Sequence, residues 1–156
     1  MILSKKSFYI TVILVAIIDQ ISKYTALYDL NDVVNLSCFM NFVLVKNFGI
    51  SFGILNFGIP LLVTRVFLTI LVLSIVIFIL KTQQKNIATA LIIGGAFGNL
   101  IDRIFLGYVI DFIDLFIGSY HWPVFNIADS AICIGSVMYV FNNKKYSKKG
   151  DINVEK

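Results

Sequence analysis

The sequence predicts an all-α membrane protein with four transmembrane helices, and three observations predict it. Hydrophobic residues make up 58% of the 156 residues and charged residues only 14%, with a mean hydropathy of +0.88. Typical soluble chains are about half apolar and about a quarter charged. Apolar stretches of roughly 20 residues, the length that crosses a bilayer, recur along the chain with little left over for a soluble domain. The lysines gather on one side of those stretches. The excess of apolar residues cannot hide in one small core, because a domain of this size leaves roughly a third of its unfolded surface in water. A soluble globular enzyme, a disordered linker and a nucleic-acid binder are thereby excluded, although the net charge is +4. Two Cys and one His remove most metal and disulfide chemistry.

The spans follow in order. The first covers about 8–27; its apolar run FYITVILVAII is interrupted by Asp19-Gln20. Lys5-Lys6 precede it, but no small-residue cleavage site follows, so it reads as an anchored helix and not a cleaved leader. The second covers about 59–80 and carries Arg65 near its start. The third covers about 86–107 and is rich in glycine (GGAFGN). The fourth covers about 123–142, opened by Trp122-Pro123, a pair that suits a helix start. Loops at 28–58 and 108–122 connect them on one side. Val33 to Val45 is rich in β-branched and aromatic residues and reads as one or two short strands on the membrane. Partial alternation at Val109, Asp111 and Ile113 predicts another strand. The tail 143–156 is polar and basic, with disorder expected beyond about Lys148. The whole chain 1–156 reads as a single domain.

Orientation follows from the cations. With the N-terminus inside, Lys5, Lys6, Lys81, Lys85, Lys144, Lys145, Lys148, Lys149 and Lys156 are cytoplasmic, and the two outer loops hold only Lys46. That asymmetry puts both termini in the cytoplasm. The positive charge thus reports topology and contact with anionic membrane lipids. Tyr24, Tyr28, Tyr108, Tyr120 and Trp122 mark the outer interface.

Polar residues within spans are costly and face a bundle interior or cavity. The candidates are Asp19, Lys23, Arg65, Asn99, Asp102, Arg103, Asn126 and Asp129. At a rise of about 1.5 Å per residue, Asp19 and Asn99 lie roughly 12 Å below the outer end, and Arg65 and Asp129 roughly 9 Å below it. Asp111 follows in the outer loop. Polar groups from separate segments therefore converge on one layer near the outer surface. Asn99 shares a helix face with Asp102 and Arg103, Asn126 with Asp129, and Asp19 with Lys23. Gly94 and Gly98 have the small-xxx-small spacing of close helix packing. Arg65 either snorkels outward or pairs with a carboxylate.

Several chemistries compete for this layer. Gly49 to Gly53 matches G-x-S-x-G, but that elbow needs a His and an acid around Ser51. The single His121 flanks Trp122-Pro123 and reads as an interface residue. Cys133 reads as a helix-packing residue and Cys38 as a small residue of the outer loop. A metal held by Asp19, Asp111 and Asp129 lacks any His, so no metal and no cofactor is assigned. Asp111 and Asp129 remain the most economical pair. Two neighbouring carboxylates share a proton, so one can deprotonate water while the other polarises a carbonyl. The alternative is structural: Asp111 as a strand-edge residue, Asp129 as a partner of Arg103 or Arg65.

Five short motifs, D-Q-I-S-K (19–23), N-F-G-I-S-F-G (47–53), G-G-A-F-G-N-L-I-D-R (94–103), V-I-D-F (109–112) and F-N-I-A-D-S (125–130), span nearly the whole chain. In kind and order they resemble those of the bacterial lipoprotein signal peptidases (type II signal peptidases). The resemblance implies four helices with a small extracytoplasmic β-cradle and a short lid helix. It implies an aspartic endopeptidase that removes the signal peptide of prolipoproteins just before a diacylglyceryl-modified Cys. The family's catalytic aspartates match Asp111 and Asp129. Its other motif residues match Asp19, Lys23, Asn47, Gly49, Asn99, Asp102, Arg103, Asn126 and Ala128, as substrate-binding or supporting groups, with Asn47 to Gly53 as a lid. Ile50-Ser51 departs from the two small residues the family often carries there. Diacylglyceryl prolipoproteins would be the partners, in the bacterial cytoplasmic membrane, and a monomer suffices. The competing readings are a small oligomeric ion or proton transporter and a non-catalytic scaffold. A transporter's acids belong nearer the midplane. A presenilin-type protease would need Gly-x-Gly-Asp, which is absent.

Overall fold

The computed structural model describes residues 3–49, 61–82 and 84–152. Among them are four helices, α1 (Lys5–Asp29), α2 (Leu61–Lys81), α3 (Ile87–Phe105) and α4 (Ile127–Ile152). Four strands, β1 (Val34–Ser37), β2 (Met40–Asn47), β3 (Val109–Ile117) and β4 (Tyr120–His121), form one antiparallel sheet in the order β1-β2-β3-β4. The strands lie in the two loops where β-branched and alternating residues predict them. Of the expected lid, Asn47 to Gly53, residues 50–53 lie outside the described residues.

α1 begins where the Ser4 hydroxyl accepts the Ser7 N–H at 3.1 Å. α3 begins at a reciprocal cap: Asn86 Oδ1 accepts from the Thr89 N–H at 3.0 Å, and Thr89 Oγ1 accepts from the Asn86 N–H at 3.2 Å. Such side chains satisfy N–H groups that the first helical turn leaves unpaired. α1 and α3 are each long and apolar enough to cross a membrane; α2 and α4 contain shorter apolar stretches, Val66–Lys81 and Ile127–Phe141. Ile13, Leu14, Ile17, Ile18 and Ile21 on α1 and Phe67, Ile70, Ile77 and Phe78 on α2 are exposed. Apolar patches of this extent on a folded chain mark contact with lipid or another apolar partner.

α3 is the central helix, and its glycines explain why. A Cβ on Gly94 would stand 2.8 Å from the Val15 Cβ of α1, and one on Gly95 would collide with the Ala128 carbonyl of α4. Gly135 of α4 returns the favour against Ala88 and Ile92. The small-residue spacing therefore does pack helices, as expected. Gly107, at φ 82°, makes the left-handed turn that carries the chain from α3 into β3. The sheet sits over the C-terminal end of α1, where Ala26 packs with Phe112 and Ile113 and with the partly buried Leu30, Met40 and Phe42.

Three expectations are corrected. α4 starts at Ile127 and not at Pro123, because Asn126 supplies the cap and residues 122–126 run back along β3 instead. α4 continues to Ile152, so the backbone beyond Lys148 is helical and not disordered. Cys133 is exposed on α4 and is not a helix-packing residue.

Candidate active site

The site is built around the start of α4. The Asp129 N–H donates to Asn126 Oδ1 at 2.9 Å, and Asp129 Oδ2 accepts the Asn126 N–H at 3.3 Å. This is a capping box with Asp in place of the usual Glu or Gln. It leaves Asp129 Oδ1 to accept from Asn99 Nδ2 of α3 at 2.7 Å. The Asn126 side chain looks the other way. Its Nδ2 donates to Asp111 Oδ1 at 2.7 Å and also lies 3.1 Å from Asn99 Oδ1 and 3.3 Å from the Ile110 carbonyl. Asn47, the last residue of β2, donates from Nδ2 to Asp111 Oδ2 at 2.8 Å, and its own Oδ1 accepts the Gly49 N–H at 3.1 Å.

Asp111 and Asp129 are thus joined through shared asparagines. Their environments differ. Asp111 is buried at 1% exposure, whereas Asp129 is part-buried. Burial pushes Asp111 up to about 6, against the lowering effect of the amide donor of Asn47; the Asp129 charge pushes it further up, and Asn126 opposes. A carboxyl that holds a proton this readily, beside a second carboxylate, can act as acid while its neighbour acts as base.

A second polar cluster lies directly behind. The Lys23 ammonium, 1% exposed, has three acceptors for its three protons: Asp19 Oδ2 at 2.8 Å, Asp102 Oδ2 at 3.0 Å and Asn99 Oδ1 at 2.8 Å. Asp19 Oδ1 accepts the Ala128 N–H of α4 at 2.8 Å. Asp102 Oδ2 accepts the Ile110 N–H at 3.0 Å, one residue before Asp111. The cation therefore fixes the Asn99 amide with oxygen toward Lys23 and nitrogen toward Asp129. Ala128 is fully buried, and its small side chain lets α4 approach Gly98. Arg103 Nη1 donates to the Asn99 carbonyl at 3.3 Å, and its charge acts on Asp129, Asp111 and Asp102 without forming an ion pair among the described residues.

Asp19, Lys23, Asn47, Asn99, Asp102, Arg103, Asp111, Asn126, Ala128 and Asp129 are thus one continuous network, with Gly49 at its rim. The convergence expected of Asp19, Asn99 and Asp129 is seen as direct contact, through Asn99 and Lys23. Asp129 lies in the first turn of α4, roughly 3 Å from its start, and Asn126 precedes the helix. The side chain of Arg65, and Ser51 of the G-x-S-x-G segment, lie outside the described residues. His121 is neither at the site nor a plain interface residue: it is held by Asp114. The donors around Asp111 and Asp129 are amide N–H groups, which suit carboxylates and not a metal ion, and Asp19 is committed to Lys23 and Ala128. Sequence reasoning missed Gln20, whose Nε2 donates to Asp102 Oδ1 at 2.8 Å and to the Gly98 carbonyl at 3.1 Å. Its place beside Asp19, interrupting an apolar run, was the available signal.

A helical membrane protein that carries a hydrogen-bonded pair of carboxylates beside a small sheet is the class defined by these features. A family model described as Signal peptidase (SPase) II matches residues 11–143. The lipoprotein signal peptidase of Thermodesulfovibrio yellowstonii is 44% identical over 142 residues, covering 87% of this chain and 93% of that protein. That of Janthinobacterium sp. is 43% identical over 135 residues, covering 81% of each. A bacterial membrane enzyme solved by the in meso method at 2.3 Å resolution superposes with a TM-score of 0.75 at 31% identity, covering 93% of this chain and 92% of that one. A second such enzyme, solved at 1.9 Å, gives a TM-score of 0.74 at 29% identity, over 88% and 92%. The chain belongs to the signal peptidase II family and is a peptidase.

Proposed function

We propose that this chain removes the signal peptide from prolipoproteins, hydrolysing the peptide bond just before the diacylglyceryl-modified Cys, with Asp111 and Asp129 as the catalytic pair. The carrying observation is the asparagine-bridged pair itself: a buried Asp111 pushed up to about 6 beside a part-buried Asp129. Asp111 carries the shared proton as the acid. Asp129, the more accessible, is the base. Asp129 takes a proton from water as the oxygen attacks the scissile carbonyl, while Asp111 gives its proton to the carbonyl oxygen. Collapse of the tetrahedral intermediate breaks the C–N bond. Asp129 then passes its proton to the departing amine, and Asp111 recovers its own from the hydroxyl. Both carboxyls end as they began, and no cofactor or metal takes part.

The supporting residues keep this pair in register. Asn99 and Asn126 orient the carboxylates. Asp19, Lys23 and Asp102 hold the three segments that carry them. Arg103 is placed to bind a backbone or lipid oxygen of the substrate. Asn47 and Gly49 begin the segment, through Gly53, that covers the substrate as a lid. Four spans, at about 8–27, 59–80, 86–107 and, with α4 starting at Ile127, about 127–142, set both termini in the cytoplasm and the site near the outer surface; the lysine asymmetry supports this orientation. The acyl chains of the substrate then stay in lipid and present the scissile bond beside the pair. The protein works in the bacterial cytoplasmic membrane, in contact with its lipids, and one copy holds all the residues the chemistry uses. The transporter reading has no support: the carboxylates lie at one end of the helices, and the family is one of peptidases.

The test is cleavage of a diacylglyceryl-modified precursor by the purified protein in detergent, beside the same precursor without the lipid and with a chelator added. Cleavage of the lipidated form alone, unaffected by the chelator, is the expected result. Equal cleavage of both forms, or none of either, would overturn the assignment.

A further inference from the structure

Asp111 and Asn126 meet because residues 120–126 run back along β3. That return is bonded at its two ends, with a gap between them. Tyr120 and His121 pair with Ile117 and Phe116, the Trp122 N–H donates to the Leu115 carbonyl at 2.7 Å, Phe125 exchanges bonds with Ile113, and the Phe125 carbonyl also accepts the Phe112 N–H at 3.0 Å. Pro123, which has no N–H, falls in the gap between them. Across this stretch lies a further polar cluster, apart from that of Lys23. His121 Nδ1 donates to both oxygens of Asp114, at 2.8 Å and 3.0 Å, and Asn41 Nδ2 of β2 donates to Asp114 Oδ2 at 3.0 Å. The His121 ring also stacks on Phe116, with centroids 5.1 Å apart. Asp114 and Asn41 are both over nine-tenths buried, and Asn41 Oδ1 is the one buried side-chain polar atom among the described residues without a partner.

We infer that His121, through Asp114 and Asn41, is a positioning residue: it sets the register of the return segment 120–126 on β3, and with it the separation of Asp111 from Asp129. This rests on the function proposed above. Burying an aspartate and an asparagine with one atom unpaired is costly. Apolar burial fixes the register of a strand only where one face is buried, and residues 120–122 of the return are exposed, so the polar contacts of His121 supply there what burial does not. Asp114 lies three residues along the strand from Asp111, and His121 lies five before Asn126. A slip at this lock therefore reaches both carboxylates, one through β3 and the other through the cap of α4. His121 touches none of the reacting atoms.

The experiment compares His121→Ala, His121→Gln and Asp114→Asn with the unaltered protein on a diacylglyceryl-modified precursor. Amide hydrogen exchange of Trp122, Phe125 and Asn126 is followed in parallel. His121→Ala is expected to lower kcat by about 10- to 100-fold with KM within twofold, since small misplacements act on the chemical step. Exchange at the three amides speeds up, and His121→Gln, whose amide can still donate to Asp114, recovers most of kcat. If His121→Ala does not fold, the Gln and Asp114→Asn variants carry the comparison, Asp114→Asn matching the loss. An unchanged kcat, or a loss shared between kcat and KM and not relieved by Gln, overturns the inference while leaving the function standing. Failure of the unaltered protein to cleave the precursor overturns the function itself.

Discussion

Asn126 and Asp129 bond each other twice, backbone N–H to side-chain oxygen in both directions, at 2.9 Å and 3.3 Å. The helix cap and the proposed base are therefore one structure. The cap uses Asn126 Oδ1 and Asp129 Oδ2, and leaves Asn126 Nδ2 for Asp111. Asn126→Ala removes both functions. Activity on a lipidated precursor is expected to fall by about 10²- to 10³-fold, with a loss of stability of about 1 kcal/mol from the cap. Thermal unfolding and steady-state kinetics on the same sample separate the two. Activity within a few fold of the parent would show that the asparagine bridge is dispensable.

Asp111→Asn and Asp129→Asn each keep the size of the side chain and remove the proton exchange. Each is expected to lose at least about a thousandfold in rate, near the upper range for general acid–base groups, while remaining folded by circular dichroism in detergent. The double variant should be no slower than either single one, because the pair acts as a unit. Normal cleavage by either variant would remove that residue from the chemistry.

Stability should also depend on pH through Asp111. Its folded value of about 6 lies above its ordinary 3.8, because burial disfavours the charge. The folded protein therefore binds the proton more tightly than the unfolded chain does. The resulting stabilisation is complete below about pH 3.8 and is lost as pH rises through about 6. The difference corresponds to roughly 3 kcal/mol at most. Asp111→Asn should flatten the melting temperature between pH 4 and pH 6.5 relative to the parent, whatever its offset. Parallel curves for the two proteins would contradict the raised value.

Lys23 is a buried cation whose three protons all have acceptors, so removing it strands Asp19 and Asp102 in the interior. Lys23→Met is expected to cost about 3–5 kcal/mol, the penalty typical of breaking a buried pair from one side. Lys23→Met with Asp19→Asn should recover part of that loss. A melting temperature unchanged by Lys23→Met alone would mean that the two carboxylates are satisfied in some other way.

Much of this arrangement is legible in the residues. Continuous apolar stretches of helical length mark α1 and α3, and β-branched runs mark β1 to β3, because lipid exposure and strand pairing both select side chains locally. The start of α4 differs from the sequence expectation for a physical reason. Trp122-Pro123 is a sound helix-start signal, but the stronger one, N-x-x-D at 126–129, is a capping box that also carries the proposed chemistry. The same shift of the helix start puts Asp129 in the first turn, roughly 3 Å along α4 instead of roughly 9 Å, while the convergence of the polar groups stands. Gln20 and the Asn41–Asp114–His121 cluster were missed because their partners come from distant segments, and no spacing along the chain brings those together.

Gly98 joins the helix packing to the site. A Cβ there would stand 2.5 Å from Asp19 Oδ2 and 3.3 Å from the Ala128 Cβ. Asp19 cannot yield easily, because it holds both the Lys23 ammonium and the Ala128 N–H. Gly98→Ala must therefore push α4 away from α3 or break the Asp19 bonds, and either movement reaches Asp129, one residue beyond Ala128. A loss of about 1–3 kcal/mol is expected from overpacking, together with a fall in kcat. Gly94→Ala gives the comparison, since the atoms its Cβ would meet first belong to Val12 and Val15 of α1 and not to the site. It should cost similar stability with a much smaller effect on kcat per folded molecule. Equal kcat for the two variants would show that Gly98 serves helix packing alone.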